Sequence, residues 1–511
     1  MNVGSLLQRH ARYRATHTAL VCGEQRFTFA EMGMRVNRLV NALARLGVRR
    51  GDKLAVLVPN CVAVLEIYWA AAQSGIVLVP LSPLLRGPAL ATLLGDSDAS
   101  VVFASHELAN ELDSVRGQLP GIAAGRYVMV DAGADEGYLE YEVLLAAEAD
   151  RAHVAENAGG DMFNIIYSSG TTGTPKGIVH THEIRAMYCT LFACIFRVTP
   201  ESVVLHAGSL VFNGAFVTLM PALFLGATYV LQTRFNAQAF IDTVERERVT
   251  HVMMVPSQIV AVLDAPNFEP RKLRTLQMLG SVGAPLHREH KERLTRALPD
   301  VFYELYGLTE GVITILDRSD VARKTGSVGV GTPFFENRVV GEHGRDLPPG
   351  EVGEIIGRSP LLMPGYYKRP DLTALAIVDG WMHTGDMGYL DADGYLYLVD
   401  RMKDLIISGG VNVYPRDIEE VIVTHPDVLE AAVFGVPSDQ WGEAPMAAVV
   451  LRSGARASPD DLKGWVNARV SARYQQVCGV AVMPEFPRNA AGKTLKRVMR
   501  DEYWTDRVVK I

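Results

Sequence analysis

The stretch 167-YSSGTTGTPKGIVHTH-182 gathers Ser168, Ser169, Gly170, Thr171, Thr172, Gly173, Thr174 and Gly177 around Pro175 and one lysine, Lys176. No other part of the chain is as dense in small and hydroxylated residues. Glycine permits backbone angles that turn several N–H groups toward one point, and the hydroxyls add donors. The lysine adds a point charge suited to phosphate. Such a loop is built to hold an anion with several oxygens. The segment before it, 162-MFNIIYSS-169, reads as a strand, which sets the loop at a strand end, where α/β proteins bind ligands. The competing reading is a Gly/Ser linker, and the apolar strand and the lysine speak against it.

Outward from the loop, amphipathic helical patterns alternate with short apolar runs. The spacing predicts helices over 34–48, 62–75 and 238–249, and strands over 53–59, 76–81, 251–256 and 275–283. This alternation indicates a largely parallel sheet covered by helices. The most apolar segment, 216-FVTLMPALFLGATYVL-231, is too short to span a bilayer and is broken by Pro221 and Gly226, so a buried helix followed by a strand is expected. The turn Asp-Ala-Asp-Gly at 391–394 predicts a hairpin. After Gly410 the pattern restarts as compact α+β, with helices over 416–426 and 461–474 and strands over 428–437 and 446–452. The fold class is therefore α/β. A large N-terminal domain, 1–400, of helix-covered mixed and parallel sheets is followed by a small α+β C-terminal domain, 401–511.

A chain of 511 residues is too long for one hydrophobic core, which agrees with two domains. Hydrophobic content is 48% and charged content 21%, ordinary for a soluble globular protein. Lys plus Arg total 50 against 57 Asp plus Glu, a net charge of -7, which argues against a nucleic-acid binder. Five scattered cysteines imply no disulfide framework and a reducing compartment. Cys189 and Cys194 lack the neighbours that would complete a metal set and read as buried apolar residues. The N-terminal stretch has neither a long apolar run nor a small-residue cleavage pattern, so a cytoplasmic protein with no membrane span is expected.

The phosphate chemistry can be narrowed. A Walker A loop needs G-x-x-x-x-G-K-[ST], but Lys176 follows Pro175. At 492-GKT-494 the first glycine would fall on Pro487. In 326-GSVGVGTP-333 a dinucleotide fingerprint fails at Phe334. Kinase, GTPase and dehydrogenase readings lose support.

Six further stretches complete the set: 280-GSVGAPL-286, 306-YGLTE-310, 353-GEIIGRSPLLMPGYYKRPDLT-373, 380-GWMHTGDMGYLDADGYLYLVDR-401, 403-KDLIISGGVNVYPRDIEE-420 and 488-RNAAGKTLKR-497. With YSSGTTGTPKG they resemble, in the expected order and over nearly the whole chain, the adenylate-forming superfamily of acyl-CoA and aryl-CoA synthetases, adenylation enzymes and luciferases. The resemblance implies ATP, Mg²⁺ and coenzyme A as co-reactants and a small carboxylic acid as substrate. It also implies roles. Ser168, Ser169, Gly170, Thr171, Thr172, Gly173 and Thr174 bind the nucleotide, with Thr171 to Lys176 holding the β- and γ-phosphates, Thr309 the α-phosphate, and Glu310 the magnesium ion. Gly283, Ala284, Pro285, Tyr306 and Gly307 border the adenine, which Tyr306 stacks on. Asp386 accepts the ribose hydroxyls and Arg401 reaches the ribose. Lys493 bridges the attacking carboxylate and the α-phosphate. The competing reading of Lys493 is one charge in a solvated basic tail with Arg488, Lys496 and Arg497. Lys403 is the hinge about which the small domain swings, and Ser408, Gly409 and Gly410 let pantetheine pass.

The acyl pocket implied by the resemblance includes Val211, Phe212, Asn213, Val282, Gly283 and Gly307. Val211 aligns with a position where many relatives carry histidine or a bulky aromatic, and Glu304 with one where an amide or small residue is commoner. No acid is placed to meet an α-amino group, so an apolar acid is expected, with room for bulk at Gly214, Ala215, Gly280 and Gly283. The acceptor is coenzyme A, with a carrier-protein phosphopantetheine arm or an amine as the alternatives. A non-catalytic regulator and a luciferase-type oxidation stand further off, and a homodimer is compatible with the chain.

Overall fold

In the computed structural model, residues 1–168, 176–488 and 494–504 are described, with Ser168 and Lys403 described by backbone alone. The chain divides into two compact units. The first comprises 1–282, 307–312 and 359–378, and the second 283–306, 313–358 and 379–511. The fold is mixed α/β, as the alternation predicts.

The first unit contains a seven-stranded sheet in the order Leu139–Glu140, Tyr127–Met129, Ala99–Ala104, Lys53–Leu57, Val77–Pro80, Met162–Ser168, Lys176–Thr181. All neighbours run parallel except the last pair, which is antiparallel. Its central strands are buried on both faces, which is why they read as continuous apolar runs rather than alternating ones. Val79, Val102, Leu112 and Ile165 belong to the core that covers it. A second group of parallel strands, Met278–Val282, His251–Met254, Val203–His206, Thr228–Leu231 and Thr18–Cys22, ends on antiparallel Gln25–Thr28.

Helix boundaries follow from local chemistry. Helix Phe29–Arg45 opens on a capping box in which Thr28 and Glu31 satisfy each other's backbone N–H. It begins earlier than the 34–48 periodicity predicts, because a cap is not an apolar residue. Helix Asn213–Leu225 and strand Thr228–Leu231 are the expected helix and strand of the most apolar segment. Helix Pro459–Asn467 stops short of the expected 474, giving way to a short 3-10 turn at Arg473–Gln475. All five cysteines are free. Cys189 is buried as expected, but Cys194 is exposed, since it lies on the other face of helix His182–Ile195. Among the described residues no helix is long and apolar enough to cross a membrane.

The second unit carries four antiparallel strands in the order Glu336–Val340, Gly353–Arg358, Trp381–Leu390, Leu396–Arg401. The last two form the hairpin predicted by 391-DADG-394. Its C-terminal part is a sheet ordered Val411–Val413, Ile406–Ser408, Gly442–Leu451, Val428–Ser438, with Gly479–Met483 parallel to Gly442–Leu451. Ile418, Val433, Val449 and Leu462 form its core.

At Gly311 both backbone and space dictate glycine. Gly311 has φ +115°, and a Cβ there would lie 2.2 Å from the Leu361 carbonyl oxygen. Gly95, inside helix Gly87–Asp96, faces open space. Gly311→Ala is expected to destabilise the protein by about 1–3 kcal/mol or more. Gly95→Ala should leave stability unchanged or raise it by about 0.4–1 kcal/mol. Urea-unfolding midpoints of the two variants check the contrast.

Candidate active site

Lys176 is the first residue of strand Lys176–Thr181, which pairs on one side with Met162–Ser168 and bonds on the other to a segment around Tyr366. Tyr367 N donates to Gly177 O at 2.7 Å, and Val179 N to Gly365 O at 3.3 Å. The strand is thus held along both edges, which fixes where Lys176 emerges. Its Nζ sits 5.1 Å from the Tyr366 ring centroid, within cation–π range. The Tyr366 hydroxyl donates to Glu310 Oε1 at 2.8 Å. Burial first, and the Glu310 carboxylate second, hold the Tyr366 phenol well above its ordinary pKa. One phenol ring therefore stands between a lysine and a half-buried carboxylate.

Glu310 is itself positioned by backbone. Met363 N donates to Glu310 O at 2.9 Å, and Leu308 and Val312 close a tight turn through a 2.9 Å bond. Thr309 O receives a bond from His180 Nε2 at 2.9 Å. His180 is wholly buried, and burial, then Arg185, hold it well below the usual imidazole pKa. Arg185 lies behind it, also wholly buried. Its Nε donates to Asn164 Oδ1 at 2.9 Å, one terminal nitrogen to Asn213 Oδ1 at 2.9 Å, and the other to His180 Nδ1 at 3.2 Å. Its guanidinium carbon lies 4.1 Å from the Phe216 ring centroid and 4.7 Å from that of Tyr188. Among the described residues no carboxylate pairs with it, and burial pulls its pKa down to about 10.

The expected acyl-wall residues of this unit lie together. Val211 is buried, Phe212 caps helix Asn213–Leu225, and Asn213 and Gly214 are half-buried. A Cβ on Gly214 would lie 3.8 Å from Val282 Cγ1, so these two residues border one another. The expectation of extra room at Gly280 is not met. A Cβ there would fall 2.5 Å from the Met253 sulfur and 2.7 Å from Met278 Cε, so two methionines already fill the space.

In the second unit, Tyr306 donates from its hydroxyl to Asp386 Oδ2 at 2.9 Å, and Arg401 Nε stands 3.4 Å from Asp386 Oδ1. Asp386 and Arg401 are register partners across the hairpin, which explains their proximity over 15 positions of sequence. Asp386 is buried. Burial, then Asp386, raise the Tyr306 phenol well above its ordinary range. Gly283, at φ +90°, Ala284 and Pro285 are exposed, as is Gly307 in the first unit. The Glu304 carboxylate is spent inside the protein: it forms a buried ion pair with Lys291 and accepts from Leu286 N at 3.4 Å. It is not a free charge for substrate.

Gly409 and Gly410, at φ +58° and +79°, turn the chain between Ile406–Ser408 and Val411–Val413. A Cβ on Gly409 would meet the Trp441 ring at 2.7 Å. Two residues of the competing solvated-tail reading are partnered: Lys496 Nζ pairs with Glu419 at 2.7 Å, and Arg488 with Glu430. Ser169, Gly170, Thr171, Thr172, Gly173, Thr174 and Lys493 lie outside the described residues, as do the side chains of Ser168 and Lys403. Among the described residues no group of three or more His, Cys, Asp or Glu side chains converges as a metal site.

Sequence reading missed Tyr366, His180 and Arg185. Tyr366 lay within a quoted motif but its partner is 56 positions away. Arg185 left one signal, a lone charge in the apolar helical run 184-IRAMYCTLFACI-195.

The chain belongs to the AMP-binding enzyme family. The family's model matches residues 7–367, and that of the AMP-binding enzyme C-terminal domain matches 417–493. A feruloyl-CoA synthase of Amycolatopsis sp is 37% identical over 505 residues, covering 98% of this chain and 99% of that one. The long-chain-fatty-acid–CoA ligase FadD13 of Mycobacterium tuberculosis is 34% identical over 508 residues, covering 98% of each. A crystal structure of the anthranilate CoA ligase AuaEII in complex with anthranoyl-AMP superposes with a TM-score of 0.92 at 25% identity, covering 99% of this chain and 98% of that one.

Beside Arg401, Asp400 receives backbone bonds from Arg401 N at 2.8 Å and Arg416 N at 3.2 Å. Burial pushes its carboxyl up to about 6, with Lys496 opposing and Glu419 adding to the rise. An acid whose folded pKa exceeds its unfolded value weakens the fold once ionised. Stability should therefore fall between the unfolded value, about 3.9, and the folded value near 6, and level off above. In Asp400→Asn this component should vanish. Melting temperatures of both proteins between pH about 4 and 7.5 check it.

Proposed function

We propose that the protein is an AMP-forming acid–CoA ligase, which converts a carboxylic acid through its acyl-adenylate into an acyl-CoA thioester. The observation that carries the reading is the placement of Lys176 and Glu310 on either side of Tyr366. A carboxylate is a poor acyl electrophile, because resonance stabilises it and its leaving group would be oxide. In the first half-reaction a carboxylate oxygen attacks the α-phosphorus of ATP, the bond from that phosphorus to the bridging oxygen breaks, and pyrophosphate leaves. In the second, the CoA thiolate attacks the acyl carbon and AMP leaves.

The loop from Ser168 to Thr174 binds the nucleotide, Thr171 to Lys176 hold its β- and γ-phosphates, and Thr309 the α-phosphate. Glu310 suits Mg²⁺, which takes one or two carboxylates and fills its other positions with water and phosphate oxygens. When bound, that ion offsets the phosphate charge. Gly283 to Pro285, Tyr306 and Gly307 border the adenine. Asp386 receives the ribose hydroxyls: an ionised carboxylate has about four acceptor positions, so they fit beside the Tyr306 bond. Lys493 stabilises charge that develops on the carboxylate and α-phosphate oxygens in the transition state. A domain of residues 401–511 then turns about Lys403, which withdraws Lys493 and brings Ser408 to Gly410 to the pantetheine path. The acid is mainly apolar and meets Val211, Phe212, Asn213 and Val282.

With Mg-ATP and an accepted acid the protein should release AMP and pyrophosphate, resolved by ion-exchange chromatography. ADP and orthophosphate in their place would reject adenylation.

The two-state mechanism predicts opposite defects. Lys493→Ala should slow adenylation by about 10²–10³, yet still convert supplied acyl-adenylate and CoA into acyl-CoA. Lys403→Pro should adenylate normally and accumulate acyl-adenylate, because proline fixes φ and restricts the preceding residue. Rapid-quench assay of each half-reaction separates the two. Equal loss of both steps in a folded Lys493→Ala protein would discard the alternating mechanism.

A further inference from the structure

Arg185 is fully buried, ringed by Phe216 and Tyr188, and has no carboxylate partner among the described residues. A guanidinium only donates. Every group facing it must therefore turn an acceptor toward it, and this settles orientations that geometry alone leaves open. Toward the nucleotide side, His180 must accept through Nδ1, so its proton is on Nε2 and is donated to the Thr309 carbonyl. Toward the acyl wall, Asn213 must present Oδ1 to Arg185, so its amide nitrogen points away and donates one hydrogen to the Tyr188 hydroxyl at 2.9 Å. The same constraint acts on Asn164, which gives Oδ1 to Arg185 and leaves Nδ2 buried with no partner among the described residues. A buried orphan donor is costly, so the arginine imposes the pattern even against that cost.

Asn213 has a second N–H. It has no hydrogen-bond partner among the described residues, and unlike Arg185 the Asn213 side chain is only half-buried. Resting on the reading of 211–213 as acyl-pocket wall, we infer that Arg185 sets the polarity of that wall, so that the preferred acid carries an acceptor oxygen opposite the free Asn213 N–H. The substrate class is narrowed accordingly, from a plain alkyl or aryl acid to one with an ether, carbonyl, hydroxyl or phenolic oxygen at one position of an otherwise apolar skeleton. Arg185 does not touch the acid. It is a positioning residue acting through Asn213.

The test uses pairs of acids of matched shape, in which oxygen replaces a methylene at successive positions, with kcat/KM read from pyrophosphate release. In the wild type one position should favour the oxygen acid by roughly 3- to 10-fold, the worth of one neutral hydrogen bond. Asn213→Leu should bring that ratio to about one. Asn213→Asp, which can only accept, should turn the preference toward a donor such as N–H at that position. Arg185→Gln, which accepts as well as donates, should lower the ratio in protein shown to be folded by circular dichroism. The Asn213 variants decide the matter if Arg185→Gln does not fold. Release of AMP with no oxygen preference at any position, or a preference that survives Asn213→Leu, overturns the inference and leaves the ligase reading standing. No AMP with any acid overturns the ligase reading, and the inference with it.

Discussion

Strand Lys176–Thr181 is bonded along both edges, and the chemistry of the first unit depends on it. One edge pairs with Met162–Ser168 and the other with the backbone around Tyr366. A strand with one free edge could fray or shift register, and a shift of one residue would turn each side chain to the opposite face. Held on both sides, it delivers Lys176 at its start and His180 near its end from one rigid element. Tyr366, on the second partner, meets both Lys176 and Glu310. Preorganisation of this kind lets charged groups act on an anion without reorganising first.

The same strand links two sets of residues with different tasks. His180 reaches the Thr309 carbonyl in one direction and Arg185 in the other, and Arg185 reaches Asn213. A buried charge without a counter-ion is expensive. Here the charge is spread over two amide oxygens, an imidazole nitrogen and two aromatic faces. The arrangement tolerates no reversal of any member, since a flipped amide would set donor against donor. The second unit solves its buried carboxylates differently, by direct cation partners: Glu304 with Lys291, Asp386 with Arg401, Glu419 with Lys496.

The strands and helices of the α/β core were legible because their apolar periodicity is a local property. Lys53–Leu57, Val62–Ser74, His251–Met254 and Asn213–Leu225 lie where their patterns put them, within a few residues at each end. Ends were less legible wherever a cap or a short 3-10 turn took over, as at Thr28 and Arg473. Glu304 read as a departure from its family because a single position cannot show a partner 13 residues away. Gly280 read as open space because a missing side chain does not reveal that Met253 fills the gap.

By itself the sequence determined the family, the order of the phosphate, adenine and C-terminal motifs, and the alternation of strand and helix. Each of these is carried by residues adjacent in the chain, where spacing and residue type are enough. Only the tertiary structure decided what each charged or polar group spends its bonds on. Tyr366 joins Lys176 to Glu310, Tyr306 and Arg401 share Asp386, and Arg185 meets no carboxylate among the described residues. Those partners lie tens to hundreds of residues apart, and hydrogen bonds are short and directional. Which donor finds which acceptor is therefore fixed by strand register and packing, not by distance along the chain.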